Sequence, residues 1–452
     1  MEGTEKLATF IAGATWDSLP RPAIETAKKS VLDCIGVALA GSTEDGSRIM
    51  TDFVRELGGN PLSTVFAGGF RTSPPWAALN NGAMAHALDF DDVSKKMSHS
   101  TVTLLPTVLA LGEVKKSSGK QILQAFLVGF ETWAKVASAM PGHSEKGWHS
   151  SATFGSLGAA AAAAKILGLD KEKVKMALSI ASCQAGGSKR QFGTMTKPFH
   201  AGEGAKNGVL AAMLAARGFT ADPTILEGKY GFCELYAGEN EKVDLAAAMK
   251  EVGDFYNILN LGIGFKPYPC RATNHSGIDA ALYLVGQNPI SPEDVESIDC
   301  AMDRTIDIGY AEVKTPLEAK FSLPFCLAVS IVDRKAGLPQ FTEEKVHDPK
   351  IQGLIKRVTL RYDPDLTPGV KNTGSATIAV VTIKLKDGKV YSHRVNKAKG
   401  TTNVPMSKED LVEKYKACAS MILSETKIQK SLELIDNIED LKDINELTAL
   451  LA

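Results

Sequence analysis

Apolar positions recur with helical spacing through most of the first 265 residues. Leu7, Phe10, Ile11 and Ala14 share one helical face, and the pattern then breaks at Leu19-Pro20-Arg21-Pro22. It resumes over 23–39 with Ile24, Ala27, Val31, Leu32, Ile35 and Val37, and Gly41 marks the end. Further helices are predicted over 76–87, 100–115, 119–139, 153–167, 171–185 and 202–216. Several are dense in small residues, as in Gly155-Ser156-Leu157-Gly158-Ala159-Ala160. Small side chains let helix axes approach closely, so these segments read as interior helices of a tight bundle.

The pattern changes after about residue 266. Segments 295–304 and 355–362 read as strands, and 377–385 with 389–395 flank Asp387-Gly388, a hairpin signal. Residues 318–332 between them read as helix. Ser407-Lys408-Glu409-Asp410 resembles a capping box and opens helices over 408–424 and 426–437. The expected fold is mainly α. Both chain ends, 1–265 and 400–452, form a large helical domain, and 266–399 form a smaller inserted α+β lid domain.

Composition changes this picture little. Hydrophobic residues make up 44% and charged residues 23% of the 452 positions, as in an ordinary globular protein. A formal net charge of −1 supplies no global attraction to nucleic acid or an anionic membrane, so any pull on an anionic substrate must be local. Seven scattered cysteines with no Cys-x-x-Cys spacing argue against a disulfide framework and a zinc knuckle. The acidic, polar N-terminus does not read as a signal peptide, and the Ala-rich stretch 155–169 is interrupted by Lys165. The cytoplasm or an organelle matrix is the expected compartment.

Four stretches carry polar groups where packing does not ask for them. In His86-Ala87-Leu88-Asp89-Phe90-Asp91-Asp92, with His99 after it, three carboxylates must be protonated, solvated or paired with cations. The plain alternative is a helix terminus with solvated acids. The others are an aspartate base beside a histidine, and Mg²⁺ ligation, which no second motif supports. Gly147-Trp148-His149-Ser150 places a histidine just before an expected Ser/Thr N-cap, facing a helix N-terminus that favours anions. A lone histidine is more often structural. Thr194-Met195-Thr196-Lys197-Pro198-Phe199-His200 presents Lys197 as a positioned charge for a carboxylate, with Thr196 beside it, against the usual surface lysine. Phe265-Lys266-Pro267-Tyr268-Pro269-Cys270-Arg271 adds Lys266 and Arg271 at the expected domain boundary. Cys270 there is either a thiol activated by Arg271 or, more simply, a packing residue.

This inventory suits a small substrate with two or three carboxylates. No dinucleotide fingerprint, Walker loop, nucleophile elbow or His-Glu-x-x-His site occurs, so no cofactor and no metal are expected.

The four stretches, in this order, resemble the MmgE/PrpD family of 2-methylcitrate dehydratases, cis-aconitate decarboxylases and iminodisuccinate epimerases. The resemblance begins at Leu32-Asp33-Cys34-Ile35-Gly36 and runs through Asn81–Asp92, 194–200 and 265–270 to Glu318-Ala319-Lys320-Phe321-Ser322. It implies a helical domain built from both chain ends, a smaller lid, a site between them and a homodimer. It also implies site positions at Asp89, His99, His149, Lys197 and Lys266, with Tyr310 reaching in from the lid. Three positions depart from the family pattern. Val93 stands where the decarboxylases carry threonine, Arg271 where they carry histidine, and His99-Ser100 replaces the usual His-Pro.

These readings favour a 2-methylcitrate dehydratase-type hydro-lyase. Lys197, Lys266 and Arg271 would bind carboxylates, Asp89 or His149 would take the α-proton, and His99 would protonate the departing hydroxyl. An epimerase of an iminodisuccinate-like dicarboxylate is the runner-up, and a cis-aconitate-type decarboxylase is third. A non-catalytic carboxylate-binding protein on the same fold is the alternative from another class.

Overall fold

The computed structural model describes residues 3–94, 97–238, 241–253, 256–303, 312–367 and 378–452. The chain divides into two compact units, Met1–Ile263 with Ser407–Ala452, and Gly264–Met406. No helix among the described residues is long and apolar enough to cross a membrane.

The first unit is helical. Its successive helices are α1 (Gly3–Gly13), α2 (Arg21–Gly41), α3 (Asp45–Leu57), α4 (Pro74–His86), α5 (Thr101–Lys115), α6 (Gly119–Ala139), α7 (Thr153–Leu167), α8 (Lys171–Ser182) and α9 (Thr196–Ala216). The prolines at 20 and 22 start α2 as its N-cap and a first-turn residue, where a missing N–H costs nothing. For the same reason α9 begins six residues before the predicted start: Pro198 sits in its first turn and brings Lys197 onto the helix. Helix α3, a short hairpin (Ser63–Val65 with Phe70–Thr72) and the short helices Phe232–Tyr236, Leu245–Ala248 and Asn257–Asn260 escape the apolar pattern. Helix α3 escapes because it buries Ser47, Thr51 and Val54 and leaves Ile49, Phe53 and Leu57 exposed.

The centre of this unit is α7, in which Ala159 to Ala164 are all inaccessible to solvent. A Cβ on Gly208 of α9 would come within 2.4 Å of the Ala159 carbonyl carbon of α7. A Cβ on Gly202 would meet the Leu79 carbonyl oxygen of α4 at 2.1 Å, and one on Gly82 would meet Gly202 Cα at 2.8 Å. The glycine pair 82/202 therefore sets the α4–α9 approach. It aligns the C-terminal end of α4 with the N-terminal turn of α9, and both ends carry functional side chains.

The chain's last helices, Lys408–Ala419 and Glu425–Asp436, belong to the same unit and begin with the capping box of Ser407 and Asp410. The first packs on α2 at Gly36, where a Cβ would lie only 3.1 Å from the Tyr415 ring.

In the second unit a four-stranded sheet runs in the order Val358–Tyr362, Val295–Met302, Ala379–Leu385, Val390–Val395. The first pair is parallel and the others antiparallel, with Ile298 opposite both Val358 and Ile383. Helices His275–Gln287 and Leu323–Asp333 cover it and share its apolar core. The strand predicted from residue 355 starts at 358, because Ile355 closes the helix Pro349–Ile355. The helix predicted over 318–332 is two pieces, Pro316–Ala319 and Leu323–Asp333, since Ser322 caps a new helix with Pro324 in its first turn.

Candidate functional site in the helical unit

Half of the chain's eight histidines, at 86, 99, 149 and 200, gather in one buried cluster with Asp89, Asp91 and Lys197. His86 ends α4, and the chain turns sharply at Asp89, whose φ of 50° lies in the left-handed region. For a residue other than glycine that conformation costs of order 1–3 kcal/mol and persists only when surrounding contacts enforce it. Lys197, in the first turn of α9, supplies one such contact: its Nζ donates to Asp89 Oδ1 at 2.5 Å. Phe192 lies under the same ammonium, 5.4 Å from ring centre to Nζ. Thr196 begins α9 half-buried, its N–H donating to the Thr194 hydroxyl at 3.2 Å.

Asp91 points away from Asp89 into the histidines. Its two carboxylate oxygens accept from His86 Nδ1 at 2.8 Å and His99 Nδ1 at 2.7 Å. Burial alone would raise the Asp91 pKa, but the two imidazoles together outweigh it and hold the group well below the carboxylate range. An ionised carboxylate only accepts, so both Nδ1 atoms carry protons and both Nε2 atoms are the basic ones. Burial pushes His86 down to about 3 despite Asp91. His99 Nε2 lies 3.8 Å from Asp89 Oδ1, so an oriented imidazole and a lysine-bound carboxylate face each other. The third acid, Asp92, accepts from the Thr101 hydroxyl, and burial followed by the charge of Asp33 raises its pKa well above normal.

His149 precedes α7 by a turn. The N-cap of that helix is Ala152 rather than the expected serine or threonine. The His149 carbonyl accepts from the N–H groups of Ala152 and Thr153 instead. His149 Nδ1 and His200 Nδ1 are 3.1 Å apart and share one proton. Burial, then the nearby His86 and Lys197, keeps His149 well below its usual range; burial and Lys197 lower His200 as well. His149 Nε2 and His86 Nε2 are buried and have no hydrogen-bond partner among the described residues. The rings of His86 and His149 stack 6.0 Å apart, so both vacant nitrogens belong to the same cluster.

The structure thus brings together Asp89, His99, His149 and Lys197. It adds His86, Asp91 and His200, which lie within the same sequence stretches but to which spacing alone assigns no role. A helical end puts His86 and Asp91 five positions apart across a turn, and nothing in the spacing announces that they meet. Lys266 and Arg271 lie in the second unit, Lys266 buried and Arg271 half-buried with its N–H on the Lys320 carbonyl at 2.9 Å. Tyr310 lies outside the described residues. Cys270 is fully buried and its thiol is pushed up well above normal by burial, so it is a packing residue and no nucleophile.

Donor atoms of His86, Asp89, Asp91 and His99 lie within 4.8 Å of one another, a spacing that divalent cations can use. The two Nδ1 atoms and the two carboxylates are already engaged. Both histidine Nδ1 atoms donate to Asp91, and the Lys197 ammonium at 2.5 Å from Asp89 opposes a second cation there. The arrangement is therefore suited to proton transfer beside a fixed positive charge.

The MmgE/PrpD N-terminal domain model matches residues 5–244 and the MmgE/PrpD C-terminal domain model matches residues 268–440. Cis-aconitate decarboxylase of Homo sapiens is 32% identical over 99% of this chain and 94% of its own length. The cis-aconitate decarboxylase of Aspergillus terreus is 27% identical over 99% and 95%. A 2-methylcitrate dehydratase of Cupriavidus necator is 23% identical over 87% and 85%. With both domains of one family matched in order along its length, the chain belongs to the MmgE/PrpD family.

Proposed function

We propose that this protein is a lyase that acts on a small di- or tricarboxylate by proton transfer at carbon, and that its reaction is a dehydration of the 2-methylcitrate type. The observation that carries the reading is the Asp91–His99 dyad facing the Asp89–Lys197 pair across 3.8 Å. Dehydration needs a base for the α-proton and an acid for the departing hydroxyl, and the cluster offers both within reach of one cation. In this scheme Lys197 turns from Asp89 to a substrate carboxylate and offsets the enediolate-like charge. Asp89, released from it, becomes the base, or His149 takes that part through its vacant Nε2. The acid is His99 carrying a second proton at Nε2 while its Nδ1–H stays on Asp91, and that Nε2 proton goes to the departing hydroxyl. Lys266 and Arg271 serve as further carboxylate contacts and Tyr310 as an additional site residue. Their roles rest on the family resemblance.

Decarboxylation of cis-aconitate is the second reading, supported by the 32% identity to the human decarboxylase over nearly the whole chain. Against it stand Val93 and Arg271 at the positions where the decarboxylases carry threonine and histidine.

The test is NMR in D₂O with 2-methylcitrate, citrate, cis-aconitate and iminodisuccinate in turn. Loss of water from a hydroxy acid supports the dehydratase, and Lys197→Ala should abolish it. Itaconate-like product and CO₂ from cis-aconitate would replace it with the decarboxylase. Deuterium wash-in without a new product would indicate epimerisation. Inertness towards all four would sink the substrate class.

A further inference from the structure

The loop that carries Asp89 and Asp91 is held from behind by a group that the proton chemistry does not use. Lys414, on the returning helix Lys408–Ala419, is buried, and its Nζ lies 2.6 Å from Asp33 Oδ1 on α2. The same ammonium donates to the Phe90 carbonyl at 2.6 Å and sits 3.9 Å from the Phe90 ring centre. Phe90 is the residue between Asp89 and Asp91. One ammonium therefore fixes the peptide whose two neighbouring side chains diverge, one to Lys197 and the other to two histidines.

Packing does not require this arrangement. Taking an ion pair out of water is unfavourable, and replacing such a pair by apolar groups of similar volume is often neutral or stabilising. The helix is already anchored by Leu411, Tyr415 and Cys418, all buried, with the Tyr415 hydroxyl 2.6 Å from Ser431 Oγ. The loop's own acids have other partners: Lys197 faces Asp89, the imidazoles face Asp91, and Asp92 is bound by Thr101. Lys414 instead grips the loop's backbone and Asp33. That is the pattern of a group that sets geometry.

We propose that Lys414, oriented by Asp33, is a positioning residue for the reaction: it fixes the Phe90 peptide and so aims Asp89 at Lys197 and Asp91 at His86 and His99. The link to turnover rests on the functional reading above. The link to loop geometry does not.

The experiment compares Lys414→Met, Asp33→Asn, the double variant and Lys414→Arg in the full-length protein. Each single neutral variant breaks a buried ion pair from one side and should lose thermal stability. The double variant removes both charges and should unfold within a few degrees of the parent. It should nevertheless lose on the order of 10²-fold in kcat with KM changed by less than about threefold, since misplacement of a reacting group by an ångström costs that much. Lys414→Arg, which keeps a donor at the carbonyl, should recover most of kcat. A double variant that is both stable and as active as the parent would overturn the proposal, because charge balance alone would then explain the pair.

A second readout needs no substrate: side-chain ¹⁵N spectra of the histidines. The double variant and Lys414→Met should shift the signals of His86 and His99, which depend on the aim of Asp91. Unchanged histidine signals would sink the positioning role even if the parent enzyme turned over none of the acids tested. Shifted signals with an inert parent would retain it and refute only the functional reading.

Discussion

Two buried lysine–aspartate pairs flank the same acidic loop and do opposite things. Lys197 and Asp89 lie 2.5 Å apart, Lys414 and Asp33 2.6 Å apart, and all four side chains are almost inaccessible. The first pair joins a helix start to a loop residue in the left-handed region, beside imidazole nitrogens with no partner among the described residues. The second joins two regular helices and closes on a backbone carbonyl. Similar chemistry and similar distances therefore separate by what surrounds them. In the proposed reaction the first pair, set at a left-handed residue beside those nitrogens, exchanges partners with the substrate. A pair set between packed helices holds its neighbours still.

The sharpest way to break this comparison is Lys197→Met. Losing a charge aimed at the reacting carboxylate should lower kcat/KM by on the order of 10³-fold, more than the Asp33/Lys414 double variant loses. Steady-state kinetics with the substrate identified by NMR decides it, and retention of a tenth or more of the parent value would erase the distinction. Asp91→Asn comes next. It keeps the shape but donates where it should accept, so it disturbs the tautomers of His86 and His99, and a drop of about 10²-fold in kcat is expected. The same change at Asp92, which accepts from the Thr101 hydroxyl rather than from the histidines, should cost far less.

Gly202→Ala tests the scaffold that both pairs share. The new Cβ would meet the Leu79 carbonyl at 2.1 Å, backbone that cannot swing aside. Overpacking of this kind costs about 1–3 kcal/mol, and denaturant unfolding should report it together with reduced activity.

Acid sensitivity is the smaller effect and belongs to the histidine side of the loop. His86 is lowered to about 3 and His143 to about 4, each chiefly by burial, and His149 and His200 are lowered too. A buried neutral histidine gives stability that is complete above its unfolded pKa of about 6.5 and lost as pH falls towards its folded value. Glu131, raised to about 7 by burial, and the raised Asp92 and Asp279 act in the opposite sense, three carboxyls against four imidazoles. The melting temperature should therefore fall between about pH 6.5 and about pH 5, and a flat or rising profile in calorimetry would contradict this balance.

The family and most helices were legible in the sequence because they depend on short-range facts. The bounds of α6 and α7 follow from apolar spacing, and the start of α6 and the helix after Ser407 also carry a local capping box. Helix α3 was not legible. Its outward face carries Ile49 and Phe53 while its inward face carries Ser47 and Thr51, so the apolar pattern points away from the unit's core. The four stretches around Asp89, His149, Lys197 and Lys266 were visible as polar residues out of place, and the residues in them carried a family resemblance. The partners were not visible. Lys414 to Phe90 spans 324 positions and Lys197 to Asp89 spans 108, and no local rule encodes such pairings.

What the sequence by itself determined is the set of local structures and the inventory of ionisable groups, since propensity, capping and residue chemistry act over a few positions. What only the tertiary structure decided is which of those groups are charged and towards what they point. That depends on the close approach of α4 and α9 at Gly82 and Gly202, and on the return of the chain's last helices behind the acidic loop. Burial and neighbouring charge then lower the pKa of Asp91, raise that of Asp92 and lower that of His86 within seven consecutive residues.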